Sequence, residues 1–423
     1  RPACNGGRAM HPTRRTLTKL LGSAAVASLV RQGAAHAEDR SVTVGITLPL
    51  TGSGAEDAVN ILHGAVLAIE EANAAGGAGG YHVDIETLDN GTATAGQYDP
   101  AQAAVNARKL VVDKSVVGAI GPMSSGSGKA MAAILSQGNL AIITPSSTNP
   151  DLTDPKFASL YRPAGPAIYF RTVTTDAFQG PNMANYMAKE MKIKSIYVLD
   201  DSGAYGVGLA DAFQARAAKL GIAVLGRDRV DPLQSDYTAL LTKIRGLNPQ
   251  ALYCGSSALA GIKLVKQSYD IMPTMVKAGG DGLHQVSILG GAGFPAAEGW
   301  YSTIAAPHML DDSVVQPWIA RYIKRWGTPP SDYSITSYDA ALIVLAAIAT
   351  VAKSGQKVTR EAVRDAVQAG KVKTLQGDIS FDANGDLASR VVSIFQVHYD
   401  PKYPPTDVIH QFKYIGVAPS DDS

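Results

Sequence analysis

From Ser41 onward, short β-branched runs alternate with alanine-rich stretches of helical spacing, and no other feature narrows the fold as much. Ser41 to Leu48 alternates in the manner of a buried strand. Gly64 to Ala75 sets Ala65, Ala68, Ile69 and Ala72 at helical spacing, turns Glu70 and Glu71 outward, and stops at Gly76-Gly77. The same reasoning predicts strands at His82 to Leu88, Val116 to Ile120 and Leu140 to Thr144, with helices from Pro100 to about Lys114 and from Gly128 to Gln137. A run of βα units implies a parallel sheet covered on both faces.

The alternation pauses at Asn149 to Gly165, rich in Pro, Asp and Thr, and then restarts. Helices are predicted at Pro181 to Lys192, Tyr205 to Leu220, Tyr237 to Leu247 and Ala258 to Tyr269, with strands at Ser195 to Leu199, Ile222 to Leu225 and Ala251 to Gly255. Helices at Ser313 to Trp326, Ser334 to Lys353 and Thr359 to Ala369 follow, and then strands at Asp378 to Phe381 and Val391 to Tyr399 about an Asp382-Ala383-Asn384-Gly385-Asp386 turn. The fold class expected is α/β: two lobes, each a mainly parallel sheet flanked by helices.

With 46% hydrophobic and 18% charged residues in 423, the chain has a globular composition and length enough for two or three domains. A net charge of +1 speaks against a dedicated nucleic-acid binder. No apolar run reaches 18 residues, so no membrane-spanning helix is expected. Cys4 and Cys254 alone exclude a disulfide framework.

The charge is uneven. Residues 1–37 hold Arg1, Arg8, Arg14, Arg15, Lys19 and Arg31 and no acid, so the remainder carries 32 basic against 37 acidic residues, a net of −5. Basic residues, an apolar Leu20 to Val30 and Ala35-His36-Ala37 fit an export signal cleaved after Ala37. Thr13 to Lys19 resembles the twin-arginine motif, with Thr18 in place of its usual apolar residue; an ordinary secretory signal is the alternative. Met10 is a natural start, and no cysteine stands at the cleavage site for a lipid anchor.

Enzyme motifs fail on spacing. Gly121 to Ala130 looks like a phosphate loop, but Met123 stands where its first glycine belongs and Ala130 where a hydroxyl must hold Mg²⁺. There is no dinucleotide-binding fingerprint after the first strand, no nucleophile elbow and no metal-ligand spacing among the eight histidines. No cofactor or metal is expected. What remains is Ser124, Ser125 and Ser127 at a strand-to-helix turn, where unpaired N–H groups and the helix dipole favour an anion. The next strand ends in Thr144-Pro145-Ser146-Ser147-Thr148-Asn149. Both hydroxyl clusters fall at the carboxyl edge of a parallel sheet, where ligands bind.

These features, together with Thr51-Gly52, Gln179-Gly180, Tyr205-Gly206, Ala297-Glu298-Gly299 and Phe381 to Gly385, make the chain resemble the type I periplasmic solute-binding proteins of branched-chain amino acid ABC transporters, the leucine/isoleucine/valine-binding type. The resemblance covers nearly all of residues 41–415. It implies two lobes joined by a three-strand hinge: an N-lobe from 41–171 and 300–375, a C-lobe from 172–299, and C-terminal strands over 376–415.

It also implies a ligand site. Ser125 matches the serine that receives the ligand carboxylate, Ser146 the backbone carbonyl that meets the ammonium, and Thr148 a contact to both. Tyr205 matches an aromatic on the opposing lobe, Asp281 an acid for the ammonium, and Tyr333 an aromatic near the side-chain pocket. Asp57 and Ser257 stand where tyrosines are expected, and Tyr98 and Ser124 where the family often has a disulfide. The side-chain pocket is therefore expected to be more polar than one for leucine or valine. The function implied is extracytoplasmic capture of a small carboxylate-bearing ligand, most simply an amino acid, by a monomer that delivers it to an ABC permease. A sensory module on the same fold, or a binder of aromatic carboxylates or amides, is the alternative.

Overall fold

The computed structural model describes residues 40–420; the export signal expected in residues 1–37 lies outside them. The chain opens with β1 (Ser41–Leu48), α1 (Ala55–Ala74), β2 (His82–Asp89), a small hairpin of β3 (Gly91–Thr92) and β4 (Gln97–Tyr98), and α2 (Pro100–Val112). It continues through β5 (Val116–Ile120), α3 (Ser125–Gln137), β6 (Ile142–Thr144), α4 (Ala158–Tyr161) and β7 (Tyr169–Arg171). Strands in the order β2-β1-β5-β6-β7 form one sheet, every pair parallel. Strand β5 is buried at all five positions, as a central strand covered on both faces must be.

The second lobe runs through α5 (Asp176–Lys189), β8 (Ser195–Asp200), α6 (Ala204–Lys219), β9 (Ala223–Arg229), α7 (Thr238–Leu247), β10 (Ala251–Gly255), α8 (Ala258–Ile271), β11 (Val276–Gly279), α9 (Val286–Ala292) and β12 (Tyr301–Ile304). Next come α10 (Gln316–Trp326), α11 (Asp332–Lys353), α12 (Arg360–Ala369), the hairpin β13 (Val372–Thr374) and β14 (Gly377–Ile379), β15 (Ser393–Val397), α13 (Val408–Gln411) and β16 (Phe412–Val417). The seven-stranded sheet has the order β16-β15-β12-β11-β10-β8-β9, with the β12–β15 and β15–β16 pairs antiparallel and the other four parallel.

Between the sheets the chain crosses three times, and the crossings touch: Thr174 N–H donates to Ala305 O at 2.8 Å, and Ser393 Oγ donates to Ala306 O at 2.8 Å. Strand β12 belongs to the second sheet, and Gly385 O still accepts from Arg171 N–H of the first sheet at 3.1 Å.

Two departures from the periodicity have physical causes. Helix α1 begins at Ala55, and Gly64 lies in its middle: a Cβ there would stand 2.2 Å from Ser334 O, so the glycine lets α11 cross closely. Helix α5 begins at Asp176, and Pro181, expected at its start, sits inside it at the loss of one backbone hydrogen bond. Helix α11 is by length and composition apolar enough to cross a membrane, but 72% of its apolar window is buried in this protein. It packs against α1 and α12 as the central helix of the first lobe.

Candidate functional site

The first wall is made of two loops at the carboxyl edge of the first sheet. Ser124 caps α3, its Oγ accepting from Ser127 N–H at 3.3 Å and donating to Ser127 Oγ at 2.9 Å. Two of the three serines are thus occupied with each other. Ser125 Oγ accepts from Asn149 N–H at 3.1 Å and from the Ser147 hydroxyl at 3.4 Å, so its own proton is left for a further acceptor. The N–H groups of Ser125 and Gly126 have no intrahelical partner.

The second loop is clamped to the first. Thr144 Oγ1 donates to Pro122 O at 2.6 Å, and Ser146 Oγ donates to Met123 O at 3.1 Å. Arg171, fully buried, donates to Ser147 O and Asn149 O, each at 2.8 Å, and pairs with Asp386 at 2.8 Å. The cation fixes the loop's carbonyls and meets its counter-ion away from them.

The opposite wall comes from the second lobe. Asp201, buried at the end of β8, accepts from Gly203 N–H at 3.0 Å and from Ser257 N–H at 2.7 Å, locking the loops that start α6 and α8. Burial holds its carboxyl above the usual range. Tyr205 Oη accepts from Gly282 N–H at 3.0 Å. Asp281, just after β11, accepts at Oδ2 from the hydroxyl of Tyr333 at 2.6 Å and at Oδ1 from Gln179 Nε2 at 3.2 Å.

Behind Asp281 lies a second acid. Asp176 is fully buried on the first turn of α5, and Gln179 Nε2 donates to it at 2.9 Å as well as to Asp281. Gln179 Oε1 meanwhile accepts from Asp281 N–H at 2.9 Å and Thr303 Oγ1 at 2.8 Å. Burial, with the charge of Asp281 behind it, pushes Asp176 up to about 8. Asp281 is raised in turn by burial, against the hydroxyls of Tyr205 and Tyr333. Both carboxyls are thus held above the usual range, and because they interact they titrate as a pair.

Ser125, Ser146, Tyr205, Ser257, Asp281 and Tyr333 all line one cavity of about 60 Å³ between these walls. Thr148 and Asp57 do not. Thr148 is fully buried, its carbonyl accepting from Asp176 N–H at 2.9 Å and its Oγ1 without a hydrogen-bond partner. Asp57 faces a smaller adjoining cavity, and its carboxylate is taken by the first turn of α9: Val286 N–H at 2.7 Å, Ser287 N–H at 3.2 Å and Ser287 Oγ at 2.7 Å. Asp57 belongs to the first lobe and α9 to the second, so this acid joins lobe to lobe. Burial raises it to about 6 despite those donors.

Among the described residues no cluster of His, Cys, Asp or Glu could hold a metal ion. Among the described residues Asp281 is the one acid lining the cavity, and no described Lys, Arg or His lines it. Sequence reasoning did not single out Arg171, Asp176 or Asp201, and it treated Gln179 only as a family marker. Asp176 and Gln179 sit three apart on one helix, hence on one face; an acid and an amide at that spacing on a helix predicted to begin nearby was the available signal.

Residues 41–402 match the family model described as periplasmic binding protein. The Leu/Ile/Val-binding protein homolog 3 of Brucella melitensis is 31% identical over 381 residues, covering 89% of this chain and 96% of that protein. The Leu/Ile/Val-binding protein BraC3 of Rhizobium johnstonii is 31% identical over 388 residues, covering 91% of this chain and 97% of its own. The crystal structure of a leucine binding protein LivK from Thermotoga maritima superimposes with a TM-score of 0.76 at 23% identity, covering 90% of this chain and all of that one.

Proposed function

The chain belongs to the periplasmic binding protein family, and on that premise we propose that it captures a small α-amino acid between its two lobes and delivers it to a membrane ABC permease. It is a solute-binding protein of the branched-chain amino acid transporter type, not an enzyme. Residues 1–37 serve as its export leader, cleaved after Ala37, and the protein works in the periplasm as a monomer.

One observation carries the ligand class. Asp281 is a buried carboxylate on the cavity wall with no cation among the residues lining that wall. A buried anion is costly unless it is paired, and a ligand ammonium supplies the pairing. On the other wall, Ser125 and the first N–H groups of α3 suit a carboxylate. The two ends of an α-amino acid answer the two walls, and a ligand that bridges them draws the lobes together. Tyr205, Tyr333 and Gln179 hold Asp281 in place, and the Ser146 to Thr148 loop completes the grip.

Calorimetry on ligand-stripped protein tests this. An L-amino acid found to bind in a thermal-shift screen is compared with its deaminated analogue, on wild type and on Asp281→Asn. The wild type should prefer the amino acid, and the variant should lose about 2–5 kcal/mol for it while holding the analogue unchanged. A wild type that binds the analogue as tightly as the amino acid would refute the reading.

A further inference from the structure

The side-chain end of the cavity is walled by Ser53, from the loop before α1, and by Gln97 and Tyr98 of β4, opposite Ser257 and Gln285 of the second lobe. Ser53 N–H donates to Gly96 O at 2.9 Å, which brings the first loop and the β3–β4 hairpin together as one wall. Tyr98 Oη reaches the second lobe: a Cβ on Gly203 would stand 2.7 Å from it. Ser53 Oγ and Gln97 Oε1 are both buried, and neither has a hydrogen-bond partner. The Tyr98 phenol is held above its usual range by burial and by the nearby Asp201 carboxylate.

A polar atom shut from water without a partner is unfavourable, and covering it with a hydrocarbon group leaves it so. An isopropyl or isobutyl side chain would do that to both atoms. A hydroxyl or carboxamide would answer Gln97 Oε1 with a donor and Ser53 Oγ with a donor or an acceptor. We infer that the ligand's side chain is itself hydrogen-bonding, so that this chain takes amino acids with hydroxyl or carboxamide side chains in preference to the branched aliphatic ones its relatives are named for. The inference rests on the amino-acid reading above and extends it to the other end of the ligand.

Two isosteric pairs isolate the point: L-asparagine against L-leucine, and L-threonine against L-valine. Each pair matches in branching and nearly in size and differs in hydrogen bonding. Calorimetry of the ligand-stripped, full-length mature protein with all four should show the polar member binding roughly tenfold tighter or more in at least one pair, since a site built to bond a polar group rejects the analogue lacking it. Gln97→Leu combined with Ser53→Ala should erase that preference, with the thermal midpoint of each variant measured as a check on folding. Leucine and valine binding as tightly as their polar partners in the wild type would overturn the inference and leave the amino-acid reading standing. A preference that survives the double variant would overturn the assignment to Ser53 and Gln97. If none of the four binds and benzoate does, the amino-acid reading falls, and this inference with it.

Discussion

The hydroxyl of Tyr333 meets Asp281 Oδ2 at 2.6 Å across the cleft, a first-lobe helix holding the acid of the second-lobe wall. The same Tyr333 Oη accepts from Ala305 N–H at 3.4 Å, beside a crossing strand. One phenol therefore touches Asp281, the cavity it lines and the path between the lobes. Tyr333→Phe removes the hydrogen bond and keeps the ring. A hydrogen bond to a charged group contributes about 1.5–3 kcal/mol, so amino-acid affinity should fall roughly tenfold or more while the thermal midpoint stays close to that of the wild type. Unchanged affinity by calorimetry would mean that the bond serves packing alone.

Asp57 gives a test of closure that does not touch the ligand. Its carboxylate is held by the first turn of α9, on the other lobe, and it lies outside the main cavity. Asp57→Ala should weaken every ligand by the same factor, because it costs the closed form a contact whichever molecule is inside. It should also shrink the ligand-induced fall in radius of gyration seen by solution scattering. A loss confined to one ligand would show Asp57 acting as a ligand contact, as its place in the first loop had suggested from sequence.

That contrast marks where sequence reasoning ends. The alternation of strand and helix was legible because buried strands and amphipathic helices each impose their own period. The carboxyl-edge loops followed from topology, and six of the eight nominated residues came together around one cavity. Asp57 faces the adjoining cavity because helix α1 starts nine residues before Gly64, which carries its first turn across to α9. Asp176 and Gln179 precede the helix expected from Pro181 and drew no reading as a site; only the packing of α5 beneath β12 and the Asp281 loop buries them. Ser53 and Gln97 share a wall through one backbone bond from a loop to Gly96, the residue before a two-residue strand too short to leave a period.

Asp176 should leave a signature in pH. Its carboxyl sits at about 8 in the folded protein against 3.8 for an unperturbed aspartate, so the native state holds a proton that the unfolded chain has lost. The stability it contributes is fully present below 3.8 and is lost as pH rises through 8. His284, lowered to about 3 by burial, acts in the opposite sense below about 6.5, and His308, raised against its burial by Asp332 and Asp311, acts in the same sense above 6.5, so Asp176 is isolated from pH 6.5 to 8 by comparing two proteins that share both histidines. There the ligand-free wild type should lose up to about 1.4 kcal/mol per pH unit through Asp176. Asp176→Asn, which keeps the acceptor for Gln179, should lose less. Thermal midpoints of both proteins across that window decide it: parallel curves would mean that Asp176 titrates elsewhere.

Ser125 should act on the anion alone. Its oxygen already accepts two hydrogen bonds, from Asn149 N–H and the Ser147 hydroxyl, so what it has left to offer the cavity is its proton. A proton donated to a carboxylate is a charge-assisted bond, stronger than one donated to a neutral group. Ser125→Ala should therefore weaken a bound amino acid by about 1.5–3 kcal/mol. The corresponding amino acid amide, which presents a neutral oxygen at the same place, should lose clearly less. Asp281→Asn should do the reverse, weakening acid and amide alike because both carry the ammonium. Calorimetry of the two variants with the two ligands gives four affinities. If Ser125→Ala costs the amide as much as the acid, Ser125 holds its loop to Asn149 rather than the ligand, and the carboxylate rests on the α3 backbone.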